Sequence, residues 1–272
     1  MIGRYKIILA VIATVVSINC VAAPPVEIAK LGKIFGNFKV DGSFLIYDQN
    51  GNSFSGYNIE RCNTAFCPAS TFKIPNTLIA FETGVATPDK VFKWAGESRG
   101  FPSWEKDMTI AEAFKTSCMA VYQEIARSIG AERMKYYLRL FNYGDMDVSG
   151  SNIDSFWIEG GSVTTSFQQI YFLRQLYNLR LPVSEVSMKL TKEIMIMETT
   201  DIYKISWKTG WAGYPDENIT WLVGYIEIPG NVYFFATNLV PKPDMDIKTF
   251  GEVRIKLTKE ILRELEIIVE KQ

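Results

Sequence analysis

Pro68-Ala69-Ser70-Thr71-Phe72-Lys73 places a serine hydroxyl and a lysine amine three positions apart. The stretch that follows, Ile74 to Phe81, carries the apolar pattern of a buried helix and stops before Gly84. Ser70 and Lys73 are therefore expected near a helix start, on one face and within reach of each other. A helix N-terminus favours nearby negative charge, and its free N–H groups can serve an oxyanion. Pro75 is a mild conflict, because it removes one early helix bond or bends the turn. The chain of 272 residues contains no histidine. A reactive serine here must take its base from a lysine or a carboxylate.

A Ser-x-x-Lys tetrad arises by chance roughly once in a chain of this length. A second copy is present, Ser103-Trp104-Glu105-Lys106. Pro102 precedes that serine and no helical pattern begins before Thr109, so the copy reads as loop. Context separates the two.

The bulk numbers narrow the class. The 47% hydrophobic and 22% charged content is that of a packed globular chain. A net charge of -1 without basic blocks gives nucleic-acid binding no electrostatic support. Residues 1–23 read as a secretory signal: Arg4 and Lys6, an apolar run from Ile7 to Ile18, then Val21-Ala22-Ala23. That run is too short to span a bilayer comfortably. A lipid anchor at Cys20 is disfavoured, because Asn19 stands where a small residue is expected. The expected product is one exported, periplasmic catalytic domain over residues 24–272, with no membrane span after signal removal. Export permits disulfides. Cys62 and Cys67, in a loop before the tetrad, are a candidate pair, with two free thiols the alternative. Cys118 reads as a buried small side chain. No metal is expected, since a zinc site without histidine would need mainly carboxylates.

Strand patterns lie at both ends of the chain and helix patterns in the middle. Ser43-Phe44-Leu45-Ile46-Tyr47, a turn, and Ser53 to Tyr57 read as a strand pair. Thr109-Ile110-Ala111-Glu112 is a capping-box pattern that opens a helix. Met119 to Ile129 stops at Gly130, Ala131 to Phe141 follows, and Ser166 opens another helix. Lys204 to Trp207, Trp221 to Glu227 and Val232 to Thr237 read as strands, and Asp246 to Glu270 as a closing amphipathic helix. The order predicts an α+β fold: an antiparallel sheet of N- and C-terminal strands, flanking helices and a helical lobe, with a cleft between.

Further polar groups follow Ser70 in order. Ser117-Cys118-Met119 falls at a break between helices, where a hydroxyl can project into a cleft. Tyr143-Gly144-Asp145 follows a helix. Lys208-Thr209-Gly210-Trp211 ends a strand-like run, and a lysine and a hydroxyl on a strand edge suit an anionic substrate lying along it. Singly these are weak signals.

Together they resemble the penicillin-recognising serine enzymes, and most closely the class D (oxacillinase-type) β-lactamases. The Ser70 motif is similar to that family's nucleophile motif almost letter for letter. Ser117-x-Met119 stands for its Ser-x-Val, Tyr143-Gly144-Asp145 for its Tyr-Gly-Asn, and Phe156-Trp157-Ile158-Glu159-Gly160 resembles its tryptophan-containing loop. The resemblance runs from about residue 35 to 265. It implies a DD-peptidase/β-lactamase-like fold and hydrolysis of penicillins through an acyl-enzyme on Ser70. It implies that Lys73 becomes N6-carboxylysine by reaction with CO2 or bicarbonate and acts as general base, with Trp157 donating to the carbamate. It also implies that Ser117 relays a proton to the leaving nitrogen and that Lys208 steers that step electrostatically. Thr209, Gly210, Trp211 and Arg254 would hold the substrate, with the N–H groups of Ser70 and Trp211 as oxyanion hole. No other cofactor is implied. Met119 for valine and Asp145 for asparagine are departures: the first could crowd the carbamate, the second add negative charge near an anionic substrate. The alternatives are a β-lactam sensor that stays acylated and a peptidoglycan DD-peptidase. Monomer and dimer are both open.

Overall fold

The computed structural model describes residues 23–159, 161–214 and 217–269. The expected signal segment and Cys20 lie outside them, as does Gly160. In chain order the elements are β1 (Val26–Glu27), α1 (Gly32–Asn37), β2 (Val40–Asp48), β3 (Ser53–Tyr57), α2 (Ile59–Cys62) and, after a 3-10 turn Ala69–Phe72, α3 (Lys73–Glu82). Next come β4 (Val91–Phe92), a 3-10 turn Pro102–Trp104, β5 (Met108–Thr109), α4 (Ile110–Thr116), α5 (Met119–Ile129), α6 (Ala131–Phe141), α7 (Ser166–Tyr177) and α8 (Glu185–Met195). The chain returns to the sheet with β6 (Ile196–Thr199), β7 (Lys204–Tyr214), β8 (Glu217–Ile228) and β9 (Asn231–Pro241), and closes with α9 (Ile247–Glu264).

Among the described residues the main sheet runs β1-β3-β2-β9-β8-β7-β6. All its pairs are antiparallel except β1 with β3. Terminal strands thus share one sheet, as the sequence order predicts. The sheet is buried on both faces, which is why its strands read as continuous apolar runs rather than alternating ones. Along β2, Phe44 and Ile46 face a core formed with α1 and α9. Leu45 and Tyr47 face the larger core shared with the helical lobe. The same alternation divides Leu222 and Ile226 from Trp221, Val223 and Tyr225 on β8.

Local chemistry explains the helix ends. Thr109 and Glu112 form a reciprocal capping box at α4, and Thr165 with Gln168 forms another at α7. Gly130, with φ +80°, breaks α5 from α6. The closing helix is shorter than the expected Asp246–Glu270. Asp246 caps it, but the chain turns at Glu266 (φ +57°) so that Ile267 and Ile268 drop into the core. Helix α8 escapes the sequence patterns noted above, and it packs against α3 and α4.

One strand boundary changes a functional reading. Lys208-Thr209-Gly210 lies in the middle of β7 rather than at its end. Gly210 is not a turn glycine but one of close approach. A Cβ there would sit 3.0 Å from Pro68 O and 3.1 Å from the Thr71 methyl carbon. Strand β7 and the Ser70 turn can touch only because that position carries no side chain.

Candidate active site

The Ser70 turn is strained. Ala69 has φ +46° and is fully buried, a left-handed conformation that costs a non-glycine residue about 1–2 kcal/mol. Lys73, the first residue of α3, is also fully buried. Its Nζ donates to Ser70 Oγ at 2.6 Å, the contact the three-residue spacing predicts. The Tyr122 ring centre lies 5.4 Å from Nζ, and Thr77 Oγ1 donates to Lys73 O at 2.7 Å. Burial pulls the Lys73 amine down from 10.5 to about 7.

Ser117 occupies the left-handed break between α4 and α5, with φ +58°. From β7, Lys208 Nζ donates to Ser117 Oγ at 3.1 Å, and also to Thr209 O and Thr209 Oγ1. Burial, then the neighbouring cations Lys73 and Arg254, hold the Lys208 amine well below its ordinary range. Arg254 reaches from α9 to donate to Gly210 O at 2.6 Å, while its buried Nε has no protein partner. Burial lowers its pKa to about 10. Trp211 is half-exposed; its Nε1 donates to Asn218 Oδ1 at 3.2 Å, and its ring meets Phe250 edge-on.

Ser70, Ser117, Met119, Thr209, Gly210, Trp211 and Arg254 line one cleft. Seven residues spread over 185 positions of sequence therefore converge as expected. Phe101, Ser103, Trp104 and Thr116 form the remaining wall. Ser103, the serine of the second tetrad copy, is thus loop-borne as expected, yet it borders the cleft. Trp104 Nε1 donates to Thr116 O at 2.9 Å, which anchors that wall beside Ser117. The available signal in the local sequence was the aromatic pair, Phe101, which is exposed, and Trp104, which is partly buried, their ring centres 4.5 Å apart.

Two expectations change. Cys62 and Cys67 are unbridged. Cys62 Sγ faces Tyr57 O at 3.9 Å, whereas Cys67 Sγ points to Trp157 O at 3.2 Å, so the two thiols are committed to different neighbours. Asp145 does not approach the Ser70 cleft. Its backbone pairs with Val163, and its exposed side chain borders a separate cavity with Lys135, Arg139 and Asp147. Tyr143 is not a cleft residue either; it is fully buried behind the Ser70 turn, donating to Gln169 Oε1 at 3.0 Å. Gly144 between them has φ +64°, and a Cβ there would lie 2.4 Å from Val163 O. Gly144→Ala is expected to destabilise the protein by about 3 kcal/mol, through strain and overlap together. Denaturant unfolding measures this, and a loss within 0.5 kcal/mol, roughly that of a neutral surface change, would contradict the close approach.

Trp157 is fully buried. Its ring stacks on Phe72 at 5.3 Å and meets Phe156 edge-on. Its Nε1 has no protein acceptor, which is unusual for a buried indole because the group can only donate. Among the described residues no cluster of carboxylates and cysteines suits a metal ion, and no helix is long and apolar enough to cross a membrane.

A family model for the penicillin binding protein transpeptidase domain matches residues 42–263. The chain is 40% identical to the β-lactamase OXA-48 of Klebsiella pneumoniae, across 94% of this chain and 96% of that protein. It is 36% identical to OXA-10 of Pseudomonas aeruginosa, across 92% of each. Among solved structures, a class D β-lactamase from Sebaldella termitidis superposes with a TM-score of 0.86 at 38% identity, covering 90% of this chain and 99% of that one. Another from Nostoc gives 0.82 at 41% identity, covering 87% and 98%. With relatives this similar along nearly their whole length, and with the Ser70 cleft built as described, the chain belongs to the penicillin binding protein transpeptidase domain family and, within it, to the class D β-lactamases.

Proposed function

We propose that this protein hydrolyses β-lactam antibiotics, penicillins and oxacillin-type compounds among them, through an ester formed on Ser70. The observation that carries the reading is the 2.6 Å contact between Ser70 Oγ and a fully buried, easily deprotonated Lys73 in a chain without histidine. Ser70 Oγ attacks the lactam carbonyl carbon, and its proton passes to the base at Lys73. Ser117 gives a proton to the leaving nitrogen, and Lys208, 3.1 Å away, steadies that transfer. Thr209 and Arg254 take the substrate carboxylate, and the N–H groups of Ser70 and Trp211 take the oxyanion. Water then cleaves the ester.

CO2 bound as a carbamate on Lys73 would supply the general base for both steps. Two features of the chain suit it. The unpartnered Trp157 Nε1 is a donor for an anion. Lys208 is pushed down partly by its neighbours Lys73 and Arg254, and a negative group at Lys73 would relieve this and let Lys208 keep its proton. No metal or organic cofactor has a role in this chemistry. We also propose export to the periplasm on a leader ending near residue 23.

Mixing the purified protein with excess benzylpenicillin, and following both hydrolysis and intact mass, tests the reading. Turnover far beyond one equivalent is expected. One equivalent with a stable adduct would instead indicate a sensor. Turnover confined to a D-Ala-D-Ala peptide would indicate a peptidase.

A further inference from the structure

The strain at Ala69 needs something to hold it, because a non-glycine residue stays left-handed only where its surroundings over-determine it. A chain of buried hydrogen bonds ends at this turn. Tyr143 OH donates to Gln169 Oε1 at 3.0 Å. Gln169 Nε2 donates to Thr71 Oγ1 at 2.8 Å. Thr71 Oγ1 donates to Pro68 O at 2.6 Å, and Thr71 N reaches the same oxygen at 3.2 Å. The last two bonds close a loop over Ala69 and Ser70. Tyr143, Gln169 and Thr71 are all fully buried, so no water competes.

The direction of the chain is forced. Pro68 O can only accept, so the Thr71 hydroxyl must donate to it and must accept from Gln169. Residue 169 must therefore present a donor to Thr71 and an acceptor to Tyr143. A primary amide does both. Helix α7, which carries Gln169, is itself clamped at its start. Thr164 pairs with Phe66, just before the nucleophile turn, and Val163 pairs with Asp145. Thr71 and Gln169, 98 positions apart, are thereby bridged by backbone as well as side chain.

We propose that Gln169 is a positioning residue for the reaction: its amide holds the Thr71–Pro68 loop closed and so aims Ser70 Oγ at the substrate. The Tyr143-Gly144-Asp145 motif serves this support from behind the turn and not the cleft. The proposal rests on the Ser70 acyl-enzyme reading. It acts on acylation rather than on substrate binding, since Gln169 is not among the residues lining the cleft.

Gln169→Leu keeps the volume and deletes both bonds. The acylation rate with benzylpenicillin, measured in single turnover, is expected to fall about 100-fold, the scale of a small misplacement of a reacting group. The Kd for penicillin, measured in a Ser70→Ala background, is expected to stay within about twofold, since binding contacts are untouched. Gln169→Glu supplies a signature that general destabilisation does not. Protonated, its carboxyl has the same donor and acceptor as the amide. Ionised, it takes the Thr71 proton away from Pro68 O. Burial raises a carboxyl pKa, so the Gln169→Glu acylation rate relative to wild type should be near one in mild acid and fall as pH rises. Should Gln169→Leu fail to fold, the Gln169→Glu profile decides alone. A Gln169→Leu acylation rate close to wild type, or a flat Gln169→Glu ratio between pH 5 and 8, the interval in which such a shifted carboxyl titrates, overturns the proposal. A wild-type protein that is never acylated overturns the acyl-enzyme reading instead.

Discussion

Lys73→Ala is expected to lower kcat/KM for benzylpenicillin by about 10⁴-fold, the upper range for loss of a general base. Among the described residues the base hydrogen-bonded to Ser70 is Lys73, whose Nζ meets its oxygen at 2.6 Å, and Lys208 is engaged with Ser117 and Thr209. Steady-state hydrolysis with intact mass measures the loss, and a variant retaining a tenth of the activity, a deficit of only about 1.4 kcal/mol, would place the base elsewhere. The wild-type pH profile carries the same group. With the amine at about 7, its neutral fraction falls in mild acid. CO2 reacts only with the neutral amine, so activity should drop below pH about 7 and recover in part with added bicarbonate. Stability follows with a definite sign. Between about 7 and 10.5 the unfolded chain holds a proton at Lys73 that the folded chain has released. Stability contributed by this group is therefore complete above 10.5 and lost as pH falls through 7. Lys73→Ala removes that slope, which denaturant midpoints at mildly acidic and alkaline pH would reveal.

Trp157→Phe is expected to cost about 100-fold in kcat, as for deletion of one preorganised donor. Phenylalanine preserves the stack on Phe72 and the edge contact with Phe156, so the ring wall stays and the indole N–H goes. The smaller ring leaves a gap that costs about 1–3 kcal/mol, well short of unfolding a domain of this size. High bicarbonate should restore much of the rate, because the variant weakens retention of the carbamate without removing Lys73. Carbon-13 NMR with labelled bicarbonate reports this directly: a carbamate signal in wild type, and a weaker one in the variant at equal bicarbonate. Equal signals with equal rates would leave Trp157 as core alone.

The sequence was most informative where a local rule decides the outcome. Gly130 has no Cβ to oppose φ +80°, so the break between α5 and α6 is written at one residue. The Thr109–Glu112 box begins α4 because both partners lie within one turn. Ser70 and Lys73 meet because three residues of helix bring them together. It was least informative where a residue's partner lies far along the chain. Gln169 looks like any polar helix residue until Thr71 and Tyr143 are seen on either side of its amide. Tyr143 and Asp145 are two positions apart in sequence, yet one lies in the core and the other is exposed. Gly210 reads as the close of a strand-like run, and only the approach of the Ser70 turn to β7 shows why it is bare.

Residue order narrowed the class of chemistry. A reactive serine in a chain without histidine must take its base from a lysine or a carboxylate, and the resemblance carried by Ser70, Lys73, Ser117 and Lys208-Thr209-Gly210 implies acyl transfer on Ser70. Tertiary structure decided which groups are buried together. Folding takes Lys73 out of water and lowers its pKa, seats Lys208 against Ser117, and leaves Trp157 with a donor and no protein acceptor. Those properties come from desolvation and from contacts between distant segments, and no spacing rule in a linear chain contains either.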